Sequence, residues 1–219
     1  QNGKPEMIIC EKSPEQELQT DAGIERARRI EAKIVQPDED NMLAVCTYMT
    51  KVALDARIID PEAEEYDGGK VALCAEKIIE INKANPGTAQ AVFCDTNTPK
   101  KDAFSVYQAL RERLVRSGEF TENEIAFVHD AANDKQRLAM FEKVNNAEIK
   151  IIIGSTGKLG TGVNIQRKLS ALHHLDTPYR PSEVEPIQRN FLSNFIIKII
   201  NQACRRTYSK HQVSEYARR

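Results

Sequence analysis

Residues 150–166, KIIIGSTGKLGTGVNIQ, limit the folds open to this chain more than any other stretch. Ile151, Ile152 and Ile153 form an unbroken apolar run with no polar alternate face, which reads as a strand buried on both faces of a parallel sheet. Directly after it come Gly154, Ser155, Thr156, Gly157, Gly160, Thr161, Gly162 and Asn164, small, hydroxylated or amide residues around four glycines. Backbone of this kind turns tightly and can present its N–H groups outward, which suits a phosphate. A second strand, Ala171 to Leu175, ends in Asp176, with Pro178, Tyr179, Arg180 and Pro181 just beyond. Ligands of open α/β sheets bind outside the carboxyl ends of the strands, so the two loops together nominate one edge of the domain as the site.

The chain before this stretch alternates in the same way. Lys70 to Asn82 carries apolar residues at helical spacing and closes at Asn85-Pro86-Gly87. Ala91-Val92-Phe93-Cys94 reads as a buried strand ending at Asp95-Thr96. Phe104 to Arg116 reads as a helix with Arg111, Arg113 and Arg116 on a solvated face, and Ile125 to Val128 as a strand ending at His129-Asp130. Lys135 to Val144 is the next helix. Strands and helices joined by short polar connections predict β-α-β crossovers and a mainly parallel sheet covered on both sides, a three-layer α/β domain. Alternation along Leu172 to Leu175 turns one of His173 and His174 inward, as a hydrogen-bonded core histidine.

The two ends read differently. In Gln1 to Gln36, Ile24, Ala27, Ile30 and Ile34 share one helical face, and Asp40-Asn41 caps a second helix with Leu43, Cys46, Met49, Val52 and Ala53 inward. DPEAEEYDGG, residues 60–69, reads as an acidic linker. Past Glu185, Phe191, Leu192, Phe195, Ile196, Ile199, Ile200 and Ala203 predict an amphipathic helix, followed by a basic tail. The resulting division is a helical arm and linker over 1–69, the sheet domain over 70–190, and a C-terminal helix and tail over 191–219.

Charge argues for a local patch rather than a generally basic surface. The formal net charge is -1, but residues 1–69 hold 16 acidic and 8 basic groups while residues 186–219 hold 1 acidic and 7 basic. Five cysteines at 10, 46, 74, 94 and 204, without a C-x-x-C pair, predict reduced thiols and no metal site. No apolar run approaches the roughly 20 residues of a membrane span, so the expectation is a soluble, cytoplasmic protein without a membrane partner. The first residue is Gln, which predicts a fragment of a longer chain.

Four segments in order carry a resemblance: AVFCD at 91–95, IAFVHD at 125–130 with Arg137 and Phe141 downstream, IIIGSTGKLGTGVNIQ at 151–166, and LHHLDTPYRPSEVE at 172–185. Together they resemble the second RecA-like lobe of a superfamily 2 helicase. They are most similar to the Snf2-like lobes of very long bacterial mobile-element and phage helicase–DNA methylase proteins. The resemblance covers about residues 40–190. It implies a RecA-like fold of the P-loop NTPase type that binds DNA or RNA through the sugar-phosphate backbone, with Asp95, Thr96, His129, Arg137, Ser155, Thr156, Gly160, Gly162 and Asn164 on the nucleic-acid side. It places Asp176, Arg180, Gln188 and Arg189 at a nucleotide cleft that a first RecA-like lobe completes, and gives no catalytic residue to this lobe alone. Hydroxyls and glycine amides at strand ends can grip phosphates without reading bases.

Two departures limit the expected activity. The family motif that begins Gln188-Arg189 continues with Gly-Arg and a further arginine, the groups that neutralise charge on the γ-phosphate, whereas here Asn190-Phe191-Leu192 follow and no glycine occurs after Gly162. No G-x-x-x-x-G-K-[ST] occurs either, since the string from Gly154 to Leu159 is two residues short and ends in Leu. ATP and Mg²⁺ are therefore expected only together with a first lobe. The alternative reading is a non-catalytic DNA-binding or docking module of a large methylase–helicase protein. A third reading, an amino-methyltransferase, rests on Asp176-Thr177-Pro178-Tyr179, in which Thr177 replaces the first proline of that enzyme class's tetrapeptide.

Overall fold

The computed structural model describes residues 6–100, 103–159, 164–176 and 195–201. Its strands are β1 (Glu6–Cys10), β2 (Ala89–Phe93), β3 (Ile125–Phe127), β4 (Ile151–Gly154), β5 (Leu169–His174) and β6 (Phe195–Asn201). They form one sheet in the order β1-β6-β5-β2-β4-β3. The helices are α1 (Pro14–Glu31), α2 (Met42–Leu54), α3 (Lys70–Ala84), α4 (Val106–Arg116), α5 (Asp134–Asn145) and the single turn α6 (Thr156–Leu159). All four neighbouring pairs among β2 to β6 are parallel, as the alternation of elements predicts.

The chain separates into two compact units, one of Gln1–Ile8 and Val71–Ile199 and the other of Ile9–Lys70 and Ile200–Arg219. The first unit contains the central strands, every residue of β2, β4 and β5 being buried. Burial on both faces is what an unbroken apolar run requires. Ala91, Phe93, Ile152 and Leu172 pack with Val128, Phe141, Val144 and Leu159, the layer that carries α5. On the other face Gln90 Nε2 donates to the Ile78 carbonyl of α3 at 2.9 Å, and Tyr107 Oη of α4 donates to the Cys94 carbonyl at 2.6 Å. Local signals end the helices: Ser105 and Asn133 accept at the N-termini of α4 and α5, and Gly87 and Gly118 take positive φ beyond α3 and α4.

The second unit is organised by polar contacts. Ser13 and Gln16 form a reciprocal capping box at the start of α1, and Gln16 Nε2 reaches across to the Val52 carbonyl of α2 at 2.6 Å. Arg26 makes a two-pronged pair with Asp40 at 2.7 and 2.8 Å and lies over the Tyr48 ring. Gly23 lets the two helices approach, because a Cβ there would overlap Met49 Sδ. Ile24 and Ile34 are exposed, and the buried positions of α1 are Gln16 and Gly23. In α2 the inner residues are Val45, Val52 and Leu54, while Leu43 and Cys46 face solvent.

The segment predicted as a C-terminal amphipathic helix is also corrected. Phe195–Asn201 is strand β6, paired with β5 so that Ala171 lies opposite Phe195 and His173 opposite Ile197. A short apolar run rich in isoleucine satisfies both periods, and β-branched residues favour the strand. Ile197 and Ile199, two apart and both buried, show which period applies.

Both histidines of β5 are buried because both faces of the sheet are covered. His174 stacks on Phe93 with centroids 5.0 Å apart, and His173 Nε2 lies 2.7 Å from Gln90 Oε1. The Gln90 amide is oriented by its bond to Ile78, so Oε1 faces the imidazole and His173 carries its proton on Nε2. Burial pushes the His173 pKa down to about 3, and the positive charges of His174 and Lys77 add to the effect. The unfolded imidazole takes up its proton near 6.5 and the folded one only near 3, so the unfolded state binds more protons in between. The stability from this residue is complete above pH 6.5 and is lost as pH falls towards 3. About 2 kcal/mol of it should disappear between pH 7 and pH 5. Urea unfolding across that window should show a smaller loss in His173→Gln than in the parent, and parallel slopes would refute this account.

Candidate nucleic-acid interface

The register of the central strands sets their carboxyl ends level. Phe93 pairs with Gly154 on one side and with His174 on the other, so the residues that follow, 94–96, 155–156 and 175–176, lie along one rim. β2 is also where the strand order reverses: the chain leaving it passes to β3 beyond β4, and the chain leaving β4 returns across it to β5. Loops that diverge in this way open a crevice at the strand ends.

Two carboxylates tie the rim together. Asp176 Oδ2 accepts from the backbone N–H groups of Asp95 at 2.8 Å and Thr96 at 2.6 Å. Asp95 in turn accepts from the Thr156 N–H at 2.7 Å and the Thr156 hydroxyl at 2.6 Å. Asp176 is buried, and burial raises its pKa; the hydrogen bonds from Thr96 and Asp95 oppose this and the Asp95 charge adds to it. Its Oδ1 has no hydrogen-bond partner among the described residues. Asp95 is exposed. Because a carboxylate only accepts, neither aspartate can hold a phosphate oxygen; both order backbone and hydroxyl donors instead.

Of the remaining predicted residues, Ser155 and His129 follow strand ends, whereas Asn164 is tied to Asn145 at the C-terminal end of α5, towards the amino ends of β4 and β5. Ser155 closes the turn of α6, its carbonyl accepting from Lys158 and Leu159. His129 sits half-buried in the turn after β3 with its ring edge-on to Tyr107 at 5.5 Å. Desolvation lowers its pKa, helped by the Lys158 charge and opposed by Asp130 and Asp95. Arg137 pairs with Asp134 of its own helix at 2.7 Å. The Asn164 side chain is exposed while its carbonyl is held by Asn145 Nδ2 at 2.8 Å. Gly160, Gly162, Arg180, Gln188 and Arg189 lie outside the described residues.

Several structural residues were not legible in the sequence. Asn145, buried at the end of α5, holds the Asn164 carbonyl and accepts from the Arg167 N–H, fastening the far side of the glycine-rich loop. Asn97 does the same after β2, accepting from the Val106 N–H at 2.7 Å and donating to the Phe104 carbonyl. Both are asparagines beside a loop, a weak signal that long-range contact alone resolves. Arg111 corrects the expectation of a solvated face, since its guanidinium lies 3.7 Å from the Phe127 ring centroid and 3.8 Å from Asp130. No group of three or more His, Cys, Asp or Glu placed to hold a metal ion occurs among the described residues. No described helix is long and apolar enough to cross a membrane.

No family model and no curated protein matches the sequence. Solved structures do match the fold. The C-terminal domain of a Sulfolobus solfataricus SWI2/SNF2 ATPase superimposes with a TM-score of 0.62 at 18% identity, over 90% of this chain and 78% of that one. The core of that ATPase in complex with dsDNA gives 0.63 at 18% identity, over 91% of this chain and 41% of that one. The C-terminal part of the Fun30 ATPase domain gives 0.62 at 12% identity, over 90% and 86%. The chain thus has the RecA-like α/β fold of SWI2/SNF2 C-terminal lobes and spans about two fifths of the length of the ATPase core solved with DNA.

The glycines of the loop separate by environment. A Cβ on Gly154 would lie 2.7 Å from Leu159 Cγ and Cδ1 and 3.2 Å from Val128 Cγ2, so the strand-to-turn junction needs glycine. A Cβ on Gly157 would meet nothing within 4 Å. In thermal or urea unfolding, Gly154→Ala should destabilise by about 1–3 kcal/mol, and Gly157→Ala should be neutral or stabilising by up to about 1 kcal/mol. Equal stability of Gly154→Ala and the parent would contradict the packing described.

Proposed function

We propose that this chain is the second lobe of an ATP-dependent nucleic-acid translocase, gripping a DNA backbone along the β2–β4–β5 rim and closing an ATP cleft with a first lobe. The observation that carries this reading is the level register of three parallel strand ends at the point where the strand order reverses, with Thr96, Ser155 and Thr156 around it. The likeness in fold to SWI2/SNF2 C-terminal lobes, one of them in a core solved with dsDNA, supports it. Hydroxyl, amide and backbone N–H donors at such a rim suit phosphates and carry no base code, so binding is indifferent to sequence. ATP and Mg²⁺ belong to this reading only with the first lobe. The residues that the resemblance sets against the nucleotide, Arg180, Gln188 and Arg189, lie outside the described residues, and in this reading the rim is the nucleic-acid side.

A second reading is favoured by one observation. After Gln188-Arg189 the chain enters β6, a strand paired to β5, where the expected pattern would place an arginine-bearing helix. A lobe without those arginines would dock DNA without stimulating hydrolysis. Adding the parent protein's first lobe separates the two readings, because ATP hydrolysis that this chain and DNA stimulate supports the motor.

Fluorescence anisotropy with a labelled DNA duplex tests the shared claim. Affinity should fall steeply between 50 and 200 mM salt, by about tenfold or more for a few phosphate contacts, and should not distinguish sequences. Thr156→Ala, which unties the turn that its hydroxyl fastens to Asp95, and Asn164→Ala should each weaken binding by up to about tenfold, while leaving the melting transition in place. Unchanged affinity in both variants, or strong sequence preference, would argue against this interface.

A further inference from the structure

The rim hydrogen bonds have a direction. The two bonds to Asp176 Oδ2 fix the backbone just after β2, at Asp95 and Thr96, and therefore fix the direction in which the Asp95 side chain leaves it. Asp95 then fastens Thr156 by both its N–H and its hydroxyl, at the first residue of the turn after β4. Tyr107 Oη holds the carbonyl of Cys94 immediately upstream, so the strand end is clamped on both sides of the peptide that carries Asp95. No hydrogen bond between Asp176 and Thr156 themselves is found among the described residues. The three segments are far apart in sequence, and two carboxylates join them.

We infer that Asp176 is a positioning residue for the Thr156 turn, acting through Asp95, so that the chain leaving β5 sets the geometry of the glycine-rich loop after β4. For its functional meaning this rests on the rim being a backbone grip; the relay itself is a property of the fold. Asp176 works through one oxygen. Oδ2 receives both amides, while Oδ1 is buried without a hydrogen-bond partner among the described residues. An asparagine can do the same with its carbonyl oxygen, whereas alanine cannot. The residues after 176 are those the resemblance sets beside nucleotide, so displacement of Asp176 is felt at Thr156, the nucleic-acid side of the lobe.

Amide hydrogen exchange on the full chain tests the relay without requiring DNA. In Asp176→Ala the amides of Asp95, Thr96 and Thr156 should all exchange about tenfold faster or more, while those of β3 at Ile125–Phe127 keep their protection. Asp176→Asn should restore all three. Asp95→Ala should release Thr156 alone and leave Asp95 and Thr96 amides protected, which gives the relay its direction. Should Asp176→Ala fail to fold, Asp176→Ser removes the long acceptor at the same place. Thr156 protection that survives loss of Asp176, or a loss spread evenly over β3, would overturn the inference. A double-mutant cycle on duplex affinity adds the functional arm: Asp176→Ala and Asp95→Ala should each weaken binding, and together no more than either alone. Additive losses would count against action through Asp95. If the parent binds no duplex at 50 mM salt, the reading of the rim as a grip fails, and hydrogen exchange still decides the relay.

Discussion

The backbone ladder joining β5, β2 and β4 is the constraint on which the rest of the molecule depends. These three strands are buried on both faces, so their N–H and C=O groups can be satisfied only by one another and by the flanking strands β3 and β6, and any slip in register would leave polar groups stranded in an apolar interior. The register that results pairs Phe93 with Gly154 and with His174. Alignment of the carboxyl ends, and hence of every residue at the rim, follows from that register rather than from any property of the loops.

Two aspartates at a rim proposed to meet a polyanion present a physical conflict that the hydrogen bonds resolve. A bare carboxylate at such a place would repel phosphate. Asp176 is withdrawn into the protein and saturated on one oxygen by backbone amides, and exposed Asp95 is engaged by the N–H and hydroxyl of Thr156. Both groups are spent on ordering donors. Rim donors not already given to these carboxylates, such as the Ser155 hydroxyl, are then the chemistry that can address a phosphate. The same economy appears at Asn97 and Asn145, each of which closes a loop with one donor and one acceptor contact.

Buried polarity also shapes the centre of the sheet. Gln90 bridges the Ile78 carbonyl of α3 and the ring of His173, so a strand that reads as uniformly apolar carries a polar link across two elements. Such a link is satisfied only in one arrangement of α3, β2 and β5, and it disfavours alternatives in which those elements pack in another register. The smaller unit relies on the same means. Its helices α1 and α2 are joined by Gln16, Gln19, Arg26 and Tyr48 more than by an apolar stripe, and this is why helical spacing alone misassigned Leu43 and Cys46 to the interior.

Local sequence was enough to determine the strands β2, β3, β4 and β5, the helices between them and the parallel α/β class, because apolar runs, helical spacing and Gly or Asn stops act over a few residues. It was not enough for Phe195–Asn201, where isoleucines fit both periods and only pairing with β5 selects the strand. Nor could it show that Asp176 holds the amides of Asp95 and Thr96, or that Asp95 holds Thr156, contacts that span 80 and 61 positions of chain. The residue types at the rim were legible because small and hydroxylated side chains cluster after buried strands. Which of them donate, and which only hold others in place, was decided by the tertiary structure, since a carboxylate's role depends on the donors that folding brings within reach.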